Sequence, residues 1–133
     1  MTNLAPSPTV SHTVHVKTVN ESNARDTAWR GRHGRSRKVR QAVASELGRQ
    51  GRVTVKMPAV VRMTRVSAGT LDDDGLRSAL KSVRDAIAEW VGVDDADERV
   101  RYVYGQSRCP RGQHSVTIEI FGGAVIRETW EAV

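Results

Sequence analysis

Residues 71–95 read Leu71-Asp-Asp-Asp-Gly-Leu-Arg-Ser-Ala-Leu80-Lys-Ser-Val-Arg-Asp-Ala-Ile-Ala-Glu-Trp90-Val-Gly-Val-Asp-Asp95. Leu76, Leu80, Val83, Ile87 and Trp90 recur at i, i+4, i+7, i+11 and i+14, which is the apolar stripe of a helix packed on a core. The spacing predicts a helix from about Asp74 to Val91, stopped by Gly92. At about 100° per residue, Asp74, Lys81 and Asp85 fall on the side opposite Leu76 and Val83. Carboxylates therefore crowd the start of this helix, a lysine and an aspartate lie along its outer face, and Asp94, Asp95, Asp97 and Glu98 follow its end.

Working outward, Ala59–Val66 reads as a strand, with residues 52–57 as further strand material split from it by Pro58. Val39, Val43 and Leu47 predict a helix over Ser36–Leu47, with Gly48 as its stop. Residues 20–34 read as a loop through Asn20, Asn23, Gly31 and Gly34, and residues 12–19 as a strand in which Val14 and Val16 alternate with polar residues. Downstream, residues 99–104 and 114–121 alternate as strands, joined through Pro110 and Gly112 in a hairpin-type connection. The expectation is one α+β domain over residues 12–123, a small mixed β-sheet with two helices in the order β-α-β-α-β-β. Residues 1–11 are expected to be a disordered tail and residues 124–133 a C-terminal tail.

The 133 residues suffice for one domain with a core of its own. Net charge is +6, but it is unevenly placed: residues 1–70 hold 13 Lys and Arg against 3 Asp and Glu, whereas residues 71–133 hold 8 against 12. A basic half points to a polyanion partner. An acidic half repels phosphate unless a divalent cation lies between them. The single cysteine, Cys109, excludes an internal disulfide and a multi-thiolate metal site. Apolar runs fall far short of the roughly 20 residues of a membrane helix, and MTNLAPSPTV is not a secretory leader. A cytoplasmic protein, with no membrane partner, is expected. No glycine-rich phosphate loop occurs, so no nucleotide cofactor is implied. His12, His15, His33 and His114 lack a ligand spacing, and Cys109 lacks a catalytic partner in sequence.

Asp72-Asp73-Asp74 at a helix start has a structural reading, since one Asp caps free amides and complements the helix dipole. Capping needs one carboxylate, however, and three repel one another. An EF-hand fails on spacing: with Asp72 at position 1, Arg77 stands where glycine is required and Val83 where glutamate is. Lys81 has its own structural reading, an ion pair with Asp85 four residues on. The alternative is a metal nuclease site, in which carboxylates hold Mg²⁺ and a lysine stabilises charge developing on a phosphate.

The runs Asp72-Asp73-Asp74-Gly75-Leu76, Ala79-Leu80-Lys81-Ser82-Val83-Arg84-Asp85 and Trp90-Val-Gly-Val-Asp94-Asp95 resemble the RusA family of Holliday-junction resolvases, over about residues 60–105. The resemblance implies a homodimeric, Mg²⁺-dependent endonuclease that cuts branched DNA at four-way junctions, with Mn²⁺ as a substitute. By position it implies that Asp72 and Asp74 are a first metal-binding pair and that Asp95 is the third essential carboxylate with Asp94 beside it. Lys81 matches the catalytic lysine. Gly75 departs from the family's Asn. Lys81 lies seven residues after Asp74, where some members place lysine four after; Ser78 stands at that nearer position.

The DNA-binding candidates are Arg30, Arg32, Arg35, Arg37, Lys38 and Arg40 in the basic segment, with Arg62 and Arg65 on the strand that precedes the Asp triplet. Gly31 and Gly34 predict a mobile backbone there, ordered on DNA, and Trp29 reads as a core or interface anchor or as a surface for base stacking. The competing function is a non-catalytic nucleic-acid binder whose Asp cluster is helix cap and surface charge.

Overall fold

The computed structural model describes residues 7–19, 29–51 and 53–123, with backbone alone for residues 29–32. Its elements are β1 (Val10–Val14), α1 (Trp29–Gly48), β2 (Ala59–Ser67), α2 (Asp73–Val91), β3 (Val100–Arg108) and β4 (Ser115–Gly122). The fold is α+β with a four-stranded mixed sheet in the order β1-β4-β2-β3. β2 and β3 run parallel, from Ala59 opposite Val100 to Ser67 opposite Arg108, and α2 is the crossover between them. β4 runs antiparallel to both β1 and β2, so the link from β3 to β4 passes over β2 and is not the expected hairpin.

Alternation along the strands decides which face the helices cover. Val61 and Met63 of β2, Val116, Ile118 and Ile120 of β4, and Val10 and Val14 of β1 share one buried cluster with both helices. α1 contributes Val39, Val43 and Leu47, and α2 contributes Leu76, Leu80, Val83 and Ile87. Both helices therefore lie on the same face. The opposite face holds a smaller cluster of Val60, Val103 and Phe121. Ser36 Oγ meets Ser82 Oγ at 2.8 Å and Arg40 meets Asp85 at 2.9 Å. Numbers rise together in both helices, so α1 and α2 run parallel, and the first turns of α1 point toward the end of the sheet where α2 begins.

α2 begins one residue before the expected position and ends where expected. Gly92 closes it with φ 86°, donating its N–H to the Ala88 and Glu89 carbonyls. Trp90 is only half-buried, at the margin of the core. Several expectations are corrected. The first strand spans Val10–Val14 instead of residues 12–19; Val10 is buried, so residues 10 and 11 belong to the sheet instead of a tail, and residues 15–19 lie beyond the strand. α1 starts at Trp29, not Ser36, so residues 29–34 are helical and not loop. Each interior glycine costs a helix about 1 kcal/mol, but good helix formers surround Gly31 and Gly34 and the helix is anchored by Val39, Val43 and Leu47. Residues 53–57 form no strand; Val53, Val55 and Met57 pack against the core, and Lys56 accepts from the Gly123 N–H at 2.6 Å. Residues 1–6, 20–28 and 124–133 lie outside the described residues. No helix among the described residues is long and apolar enough to cross a membrane.

Candidate nucleic-acid interface

The loop from β2 delivers Asp72, Asp73 and Asp74 to the carboxyl end of the parallel β2–β3 pair. Gln106 of β3 pins that loop: its side-chain amide donates to the Leu71 carbonyl at 2.7 Å and accepts from the Leu71 N–H at 2.9 Å. Crevices at the carboxyl ends of parallel strands are a recurrent place for ligands. Asp72 is the N-cap of α2, and its Oδ1 accepts from the Gly75 N–H at 2.7 Å. Asp73 and Asp74 occupy the first turn, and all three are exposed.

Asp94 and Asp95 lie elsewhere. α2 has 19 residues, and at 1.5 Å per residue it separates the two acidic ends by about 28 Å. One ion cannot be held by both ends within one chain, which corrects the expected quartet of Asp72, Asp74, Asp94 and Asp95. Asp94 instead accepts from the Ala96 N–H at 2.9 Å. That bond, then one with Asp95, holds its carboxyl below the ordinary value. The Asp95 carbonyl accepts from Arg84 at 2.7 Å. Among the described residues no three His, Cys, Asp or Glu side chains converge as a metal cage. Mg²⁺ asks for less than a cage, taking one or two carboxylates together with waters and substrate phosphate. The exposed oxygens of Asp72, Asp73 and Asp74, including the Asp72 oxygen not used in capping, fit that looser requirement.

Lys81 is exposed on the same helix face as Asp74, and its Nζ meets Asp85 Oδ2 at 3.1 Å. Arg40 reaches the same oxygen at 2.9 Å. Arg37 and Lys38 are exposed on α1 and Arg35 is half-buried. The side chains of Arg30 and Arg32 lie outside the described atoms. Two candidates serve the fold instead of phosphate. Arg65 is 8% exposed and donates to Thr18 Oγ1 at 3.0 Å and to the Gly69 carbonyl at 3.2 Å; burial lowers its pKa from the ordinary arginine value. Arg62 is bound to Glu119 at 2.8 Å, over the Phe121 ring, on the sheet face away from the helices.

A groove runs between α2 and the edge strand β3. A hollow of about 190 Å³ beside Asp73 is lined by Arg77, Tyr102 and Tyr104. A second hollow of about 630 Å³ shares Arg77, Tyr102 and Tyr104 with it and is also lined by Lys81, Arg84 and Arg101. Arg77 lies over Tyr104 at 5.5 Å and Arg84 over Tyr102 at 4.5 Å. Arg84 also donates to the Tyr104 hydroxyl at 3.2 Å. Burial opposes its charge, but the Tyr104 hydrogen bond and the neighbouring Tyr104, Tyr102 and Asp95 raise its pKa. Burial raises Tyr102, against the opposing influence of Arg84. Tyr102 Oη and Arg84 Nε are buried without a hydrogen-bond partner. The spacing of Arg77, Lys81 and Arg84 along one helix side was the available signal; that two tyrosines floor it required the β2–β3 pairing.

No family model matches the chain, and no curated protein matches it.

Proposed function

We propose that this chain is a divalent-metal-dependent endonuclease acting on branched DNA, the activity implied by its resemblance to the RusA family. The observation that carries the reading is the placement of three exposed carboxylates at the carboxyl end of the β2–β3 pair, the end toward which the arginine-rich first turns of α1 also point. Acid alone repels a phosphodiester and base alone only holds one; a hydrolase needs both at one place.

In this reading Asp72 and Asp74 would hold Mg²⁺, or Mn²⁺ in its place, with waters and the substrate phosphate completing its coordination. When bound, the ion supplies positive charge that acidifies water and offsets charge developing on the phosphate. Arg37, Lys38 and Arg40 hold the DNA backbone. Lys81, given up by Asp85, turns its ammonium toward the strand being cut. Paired cuts in opposing strands need two sites, so a homodimer belongs to the proposal.

A second reading, a non-catalytic nucleic-acid binder, is favoured by two observations. Asp72 already serves as a cap and Lys81 already has an anionic partner. The test is a synthetic four-way junction beside a linear duplex of matched sequence, with Mg²⁺ or with EDTA, using wild type and Asp74→Asn. The nuclease cuts the junction in paired nicks only with Mg²⁺, and Asp74→Asn loses cutting but not binding. Junction binding without cleavage in Mg²⁺ or Mn²⁺ leaves the binder as the description.

A further inference from the structure

We infer that the groove between α2 and β3 is a binding track for the sugar-phosphate backbone of one nucleic-acid strand, leading to the Asp73 end of α2. The track stands on its own geometry; its role in feeding a cleavage site rests on the nuclease reading above. Four cations line the larger hollow, Arg77, Lys81, Arg84 and Arg101, and no carboxylate does so among the described residues. Asp85, which pairs with Lys81, lies outside the hollow and is also claimed by Arg40.

The dimensions suit a strand. Arg77 to Arg84 spans seven residues of helix, about 10 Å along its axis, and one strand of a duplex carries a phosphate about every 3.4 Å of axis. The track therefore faces about three consecutive phosphates. The tyrosines position the guanidiniums: Arg77 rests on Tyr104 and Arg84 on Tyr102, so their orientation is set before a ligand arrives. Their rings also give the floor an apolar surface against which sugars pack. β3 is an edge strand, so among the described residues no further strand closes the track on that side.

Fluorescence anisotropy with a labelled four-way junction, in EDTA to prevent cutting, tests the assignment. Arg77→Gln/Lys81→Gln/Arg101→Gln is compared with Lys17→Gln/Arg49→Gln/Arg111→Gln, which removes the same charge from exposed positions outside the groove. The groove variant is expected to bind at least tenfold more weakly than the remote variant, and its log K against log salt slope to flatten by about 2 to 3. Arg77→Lys/Arg101→Lys, which keeps the charge, is expected to recover most of the affinity, and thermal melts separate these effects from unfolding. Equal affinities and slopes for the two triple variants overturn the track, whether or not the wild type cuts DNA. Groove-dependent binding by a wild type that cuts nothing in Mg²⁺ supports the track and removes the nuclease reading. Groove-dependent binding of labelled poly-glutamate without DNA binding overturns it in favour of an acidic protein partner.

Discussion

Asp72 has two duties that a pair of substitutions separates. Its side chain caps α2 through the Gly75 amide, and in the proposed reaction the same carboxylate helps to hold a metal. Serine caps about as well as aspartate, whereas alanine costs about 1 kcal/mol. Asp72→Ser is therefore expected to melt near the wild type and Asp72→Ala several degrees lower, while both lose junction cleavage. Equal melting of the two variants removes the capping contribution, and cleavage by Asp72→Ser removes the metal role. Asp97 gives a pH-dependent case. Hydrogen bonds from the Arg99 side chain and backbone hold its carboxyl at about 2, below the ordinary 3.8. A depressed carboxylate stabilises the fold above its unfolded pKa, and the contribution disappears as pH falls through the folded value. An NMR titration of the Asp97 carboxyl carbon is expected to find its midpoint near 2. The stability deficit of Asp97→Asn is expected to shrink between pH 4 and 2, and to be reduced by salt because the group is exposed. At this scale a capping aspartate within the triplet was legible, because capping depends on four consecutive residues; that it is Asp72 follows from the helix starting at Asp73. Arg62 and Arg65 were not, because their partners Glu119 and Thr18 are distant in sequence.

Among the elements, α2 was the most legible because its stripe is continuous and its end is marked by glycine. Leu80, fully buried in that stripe, carries the corresponding prediction. Leu80→Ala is expected to cost about 2–5 kcal/mol by lost transfer energy and the cavity left behind, read as a lower urea midpoint with little change in slope. A loss below 1 kcal/mol places Leu80 outside the core. The start of α1 was less legible, since Gly31 and Gly34 read locally as breakers while the anchoring side chains come later in the helix. The alternation of Val53, Val55 and Met57 matched a strand for a related reason. Side-chain period reports which residues face the core, whereas strand identity requires a partner ladder, and this segment lacks one.

For the whole molecule, the division into a basic first half and an acidic second half was plain in the sequence, as were the α+β class and the element order. These follow from local composition and short-range periodicity, which need no knowledge of what lies across the fold. The sequence also placed Asp74, Lys81 and Asp85 on the outer side of α2, because a helix fixes angular relations over a few residues by its own geometry. Only the tertiary structure decided which charges meet. Asp94 and Asp95 look close to Asp72 and Asp74 in a motif, yet the straight helix between them holds the two pairs at opposite ends. Arg65 and Arg101 are both strand arginines, but the first is buried in the fold and the second borders the groove on the edge strand. Tyr102 and Tyr104 became its floor because β3 pairs parallel to β2 and shows alternate residues to α2. Spacing along the chain fixes each element and its faces; the register between elements, set by burial of the shared core, fixes the neighbours with which each face reacts.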